Sequence, residues 1–292
     1  MNTQSLISLL NVTALVTMML SMGLQVSFED LLASARPTRL LVMGLLANYV
    51  FVPAVTVGLL NLFRADPMVS AGFLILAVCP GAPVGPPITA IAKGNVPWAV
   101  GMMLILAGLS ALATPPLLSV LLARVAPDRG LHVNALAILQ ILLITQLLPL
   151  LLGLGIHHGA PKFTRLIVRP VGLLANVLLL ALVGLIAVTQ YETLAAIRLR
   201  GWIGMGLLML ASLGIGWASG GPAVATRKAL AATTATRNAA VGLVIAANNF
   251  AGTPAVTAVV AYGLVSIGGA LGWALLLGKL APLERKMAPA GS

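Results

Sequence analysis

Ala77-Val78-Cys79-Pro80-Gly81-Ala82-Pro83-Val84-Gly85-Pro86-Pro87-Ile88-Thr89 sets four prolines and two glycines inside a run apolar enough to cross a membrane. Such a stretch is not a continuous helix. Each proline removes an N–H and crowds the carbonyl one turn back, so several backbone groups lose their intrahelical partners. In hydrocarbon these groups are tolerated only where protein or a wet cavity satisfies them. A crossing broken at membrane depth therefore points to a solute site, since two half-helix ends bring partial charges and free backbone groups to one place.

The rest of the composition supplies the membrane. The 292 residues are 60% hydrophobic and 8% charged, with a mean hydropathy of +1.06. That is too much apolar surface for a water-soluble domain of this size. The apolar runs have helix length and lack the short alternation of a membrane barrel, which predicts an all-α integral membrane protein. The formal charge of +11 comes from Lys and Arg scattered through short loops, with no basic patch interleaved with aromatics, and so predicts no nucleic-acid partner. Cys79 is the only cysteine, which excludes an internal disulfide and a cysteine metal cluster. Met1 to Gln4 carry no basic residue, so the first apolar stretch is expected to stay as a span rather than leave as a signal peptide.

Hydropathy and polar breaks predict nine spans, near 5–26, 40–62, 68–93, 97–124, 131–156, 167–190, 201–222, 229–250 and 255–280. One set of loops carries eleven basic residues: Arg36, Arg39, Lys93, Lys162, Arg165, Arg169, Arg227, Lys228, Lys279, Arg285 and Lys286. The other carries five: Arg64, Arg124, Arg129, Arg198 and Arg200. This asymmetry predicts the amino terminus outside and the carboxyl terminus in the cytoplasm.

Polar residues inside spans are the candidate site. Asn48 precedes Pro53 half-way through the second span. The eighth span carries Thr233, Thr234, Thr236, Arg237 and Asn238 among alanines. A guanidinium near mid-span costs a few kcal/mol and should face a partner or a wet cavity. All six acids, Glu29, Asp30, Asp66, Asp128, Glu192 and Glu284, fall in loops or at span ends. Backbone carbonyls or an incoming anion are left as the partners of Arg237. The fifth and sixth spans read as lipid-facing scaffold, Thr114-Pro115-Pro116 as a bend in the fourth, and His157 and His158 as interfacial residues. No paired carboxylates, Ser-His arrangement or zinc motif lies in the spans, so an enzyme is not expected.

Ser21 to Leu24, Asn48 to Pro53, Cys79-Pro80-Gly81, Ala90 to Val96, and Arg237-Asn238 with Asn249-Phe250 together resemble the bile acid:sodium symporter family. The resemblance covers nearly the whole chain, in a nine-span form lacking the first of ten helices. It implies two inverted halves in one transporter unit, with a core near 40–125 and 201–281 and a panel near 5–26 and 131–190. The third and eighth spans would be the crossing, unwound helices. It further implies a multi-pass protein of the cell inner membrane, a monomer or homodimer, that moves an organic anion, bile-acid-like or a small carboxylate, by alternating access.

By the same resemblance, Arg237, Asn238, Thr233, Thr234, Thr236, Asn48, Pro83, Val84 and Gly85 would bind or line the substrate site. The family's sodium ligands align with Gly85, Pro86, Ala99, Met103, Thr233, Arg237 and Asn48, a set that has lost most of its oxygens. Arg237 is therefore expected to take over the electrostatic work of sodium. A sodium symporter built on backbone carbonyls and neutral side chains is the alternative. A non-transporting sensor or structural protein is an alternative of another class.

Overall fold

The structure, a computed structural model, describes residues 3–125, 133–189, 191–195 and 197–287. Asp128 and Arg129 lie outside the described residues, as do the side chains of Glu284, Arg285 and Lys286. Every regular element among the described residues is helical.

Helix α1 (Thr3–Leu24) is the first crossing. A short helix the sequence reading did not anticipate, α2 (Phe28–Ala35), follows it. Its start is fixed by a capping box: the Ser27 hydroxyl accepts from the Asp30 N–H, and the Asp30 carboxylate accepts from the Ser27 N–H. Ser34 sits against Gly101 of the fourth crossing, where a Cβ would have no room.

Helix α3 (Thr38–Leu62) widens to a π-turn at Ala47–Phe51. Pro53 cannot close the bond to Tyr49, and the Val52 N–H reaches back to the Ala47 carbonyl instead. The same device recurs in α7 (Ala135–Gly159), with a π-turn at Leu143–Leu147 just ahead of Pro149. Both π-turns carry a fully buried amide, Asn48 and Gln146.

The third crossing is two pieces, α4 (Pro67–Ala77) and α5 (Gly85–Ile91), either side of the proline-rich break. Then come α6 (Val96–Val125), which continues through Pro115 and Pro116, α8 (Pro161–Thr189), α9 (Tyr191–Ala195) and α10 (Leu199–Ser219). The eighth crossing is also interrupted, between α11 (Val224–Ala235) and α12 (Ala239–Asn249). Helix α13 (Pro254–Met287) is last.

Among the described residues eight helical stretches are long and apolar enough to span a membrane, one fewer than expected. The difference is the third crossing, whose halves of 11 and 7 residues are each too short to count alone.

Burial ranks the crossings. In its apolar 18-residue window the Val224–Asn249 stretch has 94% of its residues buried and Pro161–Leu182 only 11%, so the interrupted eighth crossing is central and the sixth peripheral. Helix α1 packs along α7 and α8, with Gly23 and Gly153 allowing backbone to approach backbone. Helices α10 and α13 flank α11, and α13 lies along α4. This brings both interruptions to one place.

Candidate functional site

Between α4 and α5 the backbone carbonyls of residues 77 to 81 have lost their helical donors, and their replacements come from other crossings. The Val78 carbonyl accepts from the Thr114 hydroxyl at 2.6 Å. The Cys79 carbonyl accepts from the Asn238 N–H at 2.9 Å. The Gly81 carbonyl takes a longer contact from the Asn238 side chain, 3.4 Å, and the Ala77 carbonyl one from Arg237 Nη1, 3.5 Å. Gly81 adopts φ +82, and a Cβ there would meet the Ala107 backbone of α6 at 2.5 to 2.8 Å. Only glycine combines that conformation with that approach.

Asn238 does two jobs. Besides meeting the third crossing it caps α12, its Oδ1 accepting from the Val241 N–H at 3.3 Å. The eighth crossing is thus interrupted by a residue that joins the two breaks.

Arg237 is 1% exposed, so its side chain lies inside the protein. Its Nε and Nη2 have no hydrogen-bond partner, and the Nη1 contact is long. The ionisable groups its charge acts on are Tyr262, Cys79 and Tyr49, with no carboxylate among them. A buried guanidinium with so few acceptors is costly unless something else brings negative charge.

The threonines are all buried but differ in use. Thr233 donates to the Ala229 and Leu230 carbonyls and Thr236 to the Ala232 carbonyl, each bond internal to α11 or its end. Thr234 accepts from Asn48 Nδ2 at 3.2 Å, tying α3 to α11, while Asn48 Oδ1 has no partner. Gly85, the first residue of α5, faces Thr233 and Thr236, and a Cβ there would lie 3.1 Å from the Thr233 methyl. Pro83 and Val84 are partly buried in the break itself.

Among the positions aligned with the family's sodium ligands, only Asn48 offers a free side-chain oxygen, its unpartnered Oδ1. Sodium needs several hard oxygens. Gly85, Pro86, Ala99 and Met103 have no side-chain oxygen, the Thr233 hydroxyl is bonded within its own helix, and Arg237 is a cation. Among the described residues no group of three His, Cys, Asp or Glu side chains could hold a metal ion either.

Several residues central to the arrangement were missed by sequence reasoning. Thr114 reads as part of a proline bend but holds the broken crossing. Gln146 reads as lipid-facing but is buried, and its Nε2 donates to the Ala107 carbonyl and to Ser110 Oγ, the latter at 2.8 Å. Tyr262 is 1% exposed and its ring packs against Phe73. His157 meets the Leu24 carbonyl and His158 the edge of Phe28, both structural contacts.

A family model, Sodium Bile acid symporter family, matches residues 12–197, a stretch that includes the first break and stops short of Arg237. The chain is 30% identical over 167 residues to the probable sodium/metabolite cotransporter BASS2, chloroplastic, of Oryza sativa subsp. japonica, covering 56% of this chain and 39% of the relative. It is 24% identical over 203 residues to the ileal sodium/bile acid cotransporter of Cricetulus griseus, 70% of this chain and 58% of the relative. It is 26% identical over 176 residues to the uncharacterized sodium-dependent transporter YocS of Bacillus subtilis (strain 168), 60% and 53%. The chain spans less than two thirds of the length of each of these relatives.

Proposed function

The chain belongs to the sodium bile acid symporter family, and on that premise we propose that it carries an organic anion across the membrane by alternating access, with Arg237 in place of a bound sodium ion. The observation that carries the proposal is Arg237 itself. A guanidinium 1% exposed, with two nitrogens unpartnered and no carboxylate beside it among the described residues, is a cation waiting for an anion. An arriving carboxylate or sulfonate would meet Nε and Nη2 as a forked pair. Asn238 and the Asn48–Thr234 pair lie on the crossings that frame it, and Pro83, Val84 and Gly85 shape the break opposite.

A fixed charge changes the energetics of the cycle. A bound cation must be collected and released at each turnover, whereas a guanidinium stays. Coupling to a sodium gradient is therefore not built into this site. The rocking elements would be the bundle of α3 to α6 and α10 to α13, moving against α1, α7 and α8; the packing of α1 along both α7 and α8 supports that division. The loop charges support an amino terminus on the side away from the cytoplasm.

Purified protein in liposomes tests this. Uptake of cholate and of succinate is measured with sodium outside and then with choline in its place. Equal initial rates are expected. A second reading, sodium symport, draws on the printed names of the relatives and on the unpartnered Asn48 Oδ1, and it predicts uptake that stops in choline.

A further inference from the structure

Away from the crossing, the ends of α3, α4, α10 and α13 enclose a second cavity of about 530 Å³. Its mouth is cationic. Arg64, Arg198 and Arg200 surround it with a single acid, Asp66, so three positive charges against one leave a net +2. The Asp66 carboxylate is already engaged, accepting from the Met68 N–H at 2.8 Å as the cap of α4.

Arg200 is held in place, donating to the Phe63 carbonyl with its guanidinium 5.7 Å above the Phe63 ring. Arg64 stands in the turn between α3 and α4 in the left-handed conformation, φ +46, where a bulky side chain is uncommon. These are three of the five basic residues on the side of the protein where the loop charge is sparse.

The interior is apolar. Phe73, Met205, Leu208 and Ala261 line it, and Gly201 and Gly204 of α10 contribute no side chain, which keeps it open. The Phe73 ring packs at 5.5 Å against Tyr262, a buried residue of α13.

From this geometry we propose that the cavity is a second binding site, for an amphipathic anion whose headgroup rests on Arg64, Arg198 and Arg200 and whose apolar body lies over Phe73 and Leu208. An inorganic anion would have no use for the apolar interior, and a neutral lipid would leave the guanidinium groups unanswered. The volume suits one acyl chain or one ring system. The site does not depend on what Arg237 does.

The test uses the full chain in a neutral detergent with dansyl-undecanoate as fluorescent probe. Saturable binding is expected, displaced by dodecanoate but by neither dodecanol nor acetate. In the Arg237→Gln background, where the crossing cannot contribute, replacing Arg64 and Arg198 together by Gln should weaken binding by about tenfold or more, and Gly204→Leu, which fills the cavity, should abolish it. If the leucine variant does not fold, the double arginine variant and the displacement series still decide. In the Arg237→Gln protein the probe should bind within about twofold of the unaltered protein, as expected for a separate site.

The source of the headgroup is read in nanodiscs. Displacement of the probe by phosphatidylglycerol but not phosphatidylcholine identifies a membrane lipid, and displacement only by added carboxylate identifies a solute; either upholds the site. Equal displacement by dodecanol, normal binding to Gly204→Leu, or loss of binding in Arg237→Gln would overturn it.

Discussion

Replacing Thr114 by Val removes one hydroxyl from a fully buried position while nearly keeping its shape. That hydroxyl is the donor to the Val78 carbonyl at 2.6 Å, and no backbone N–H substitutes for it, because the chain leaves the helix after Ala77 and the Ala82 N–H that a continuous helix would supply does not reach it. A buried carbonyl left without a donor costs about 1–3 kcal/mol. Val78 is itself fully buried, which puts the cost toward the upper part of that range.

Thr56→Val is the matched control. Thr56 is equally buried, and its hydroxyl bonds the Val52 carbonyl at 2.8 Å, but that carbonyl lies in a continuous helix and keeps its own N–H donor. Its loss should cost about 1 kcal/mol or less. With roughly 2–4 °C per kcal/mol for chains approaching this size, thermal unfolding in detergent should fall by about 4–12 °C for Thr114→Val and by about 0–4 °C for Thr56→Val. Thr114→Ser should lie near the unaltered protein. Equal shifts for the two valine variants would refute the idea that the break is stitched by donors from other crossings.

Other expectations follow from the same contacts. Gly81→Ala should prevent stable folding or lower the melting temperature more than Thr114→Val does, because it adds a left-handed alanine to a collision with the Ala107 backbone; fluorescence size-exclusion and melting curves read this directly. The Ser27 hydroxyl and N–H, bonded to the Asp30 carboxylate, hold Asp30 below the usual aspartate value of 3.8. The stabilisation from that charge is thus fully present above 3.8 and is lost as pH falls through the lowered folded value. Asp30→Asn should therefore melt lower than the unaltered protein at neutral pH, with the gap closing in strong acid. A gap that is the same at both pH values would show that the charge plays no part.

How far the sequence reveals this arrangement depends on which residues carry it. The broken third crossing was legible because proline acts on the backbone wherever it stands. Arg237 was legible because a charge inside a span is expensive in any surroundings. Pairing was not: Thr114 and Gln146 are ordinary polar residues in spans that are apolar on every side, where no periodicity tells an inward face from a lipid face. The short α2 helix escaped because its signal, Ser27 with Asp30, lies in a loop between two strong hydropathy peaks. The arginine-rimmed cavity joins residues 64 and 66 to 198 and 200, a proximity no local pattern encodes.

The most direct measurement is calorimetric titration of cholate into the purified protein in choline buffer, with and without Arg237→Gln. If the buried guanidinium supplies the charge that holds the anion, the unaltered protein binds without sodium, and the variant loses about tenfold or more in affinity. Equal affinity for the two proteins, or binding to the unaltered protein that appears only when sodium is added, would contradict that role for Arg237.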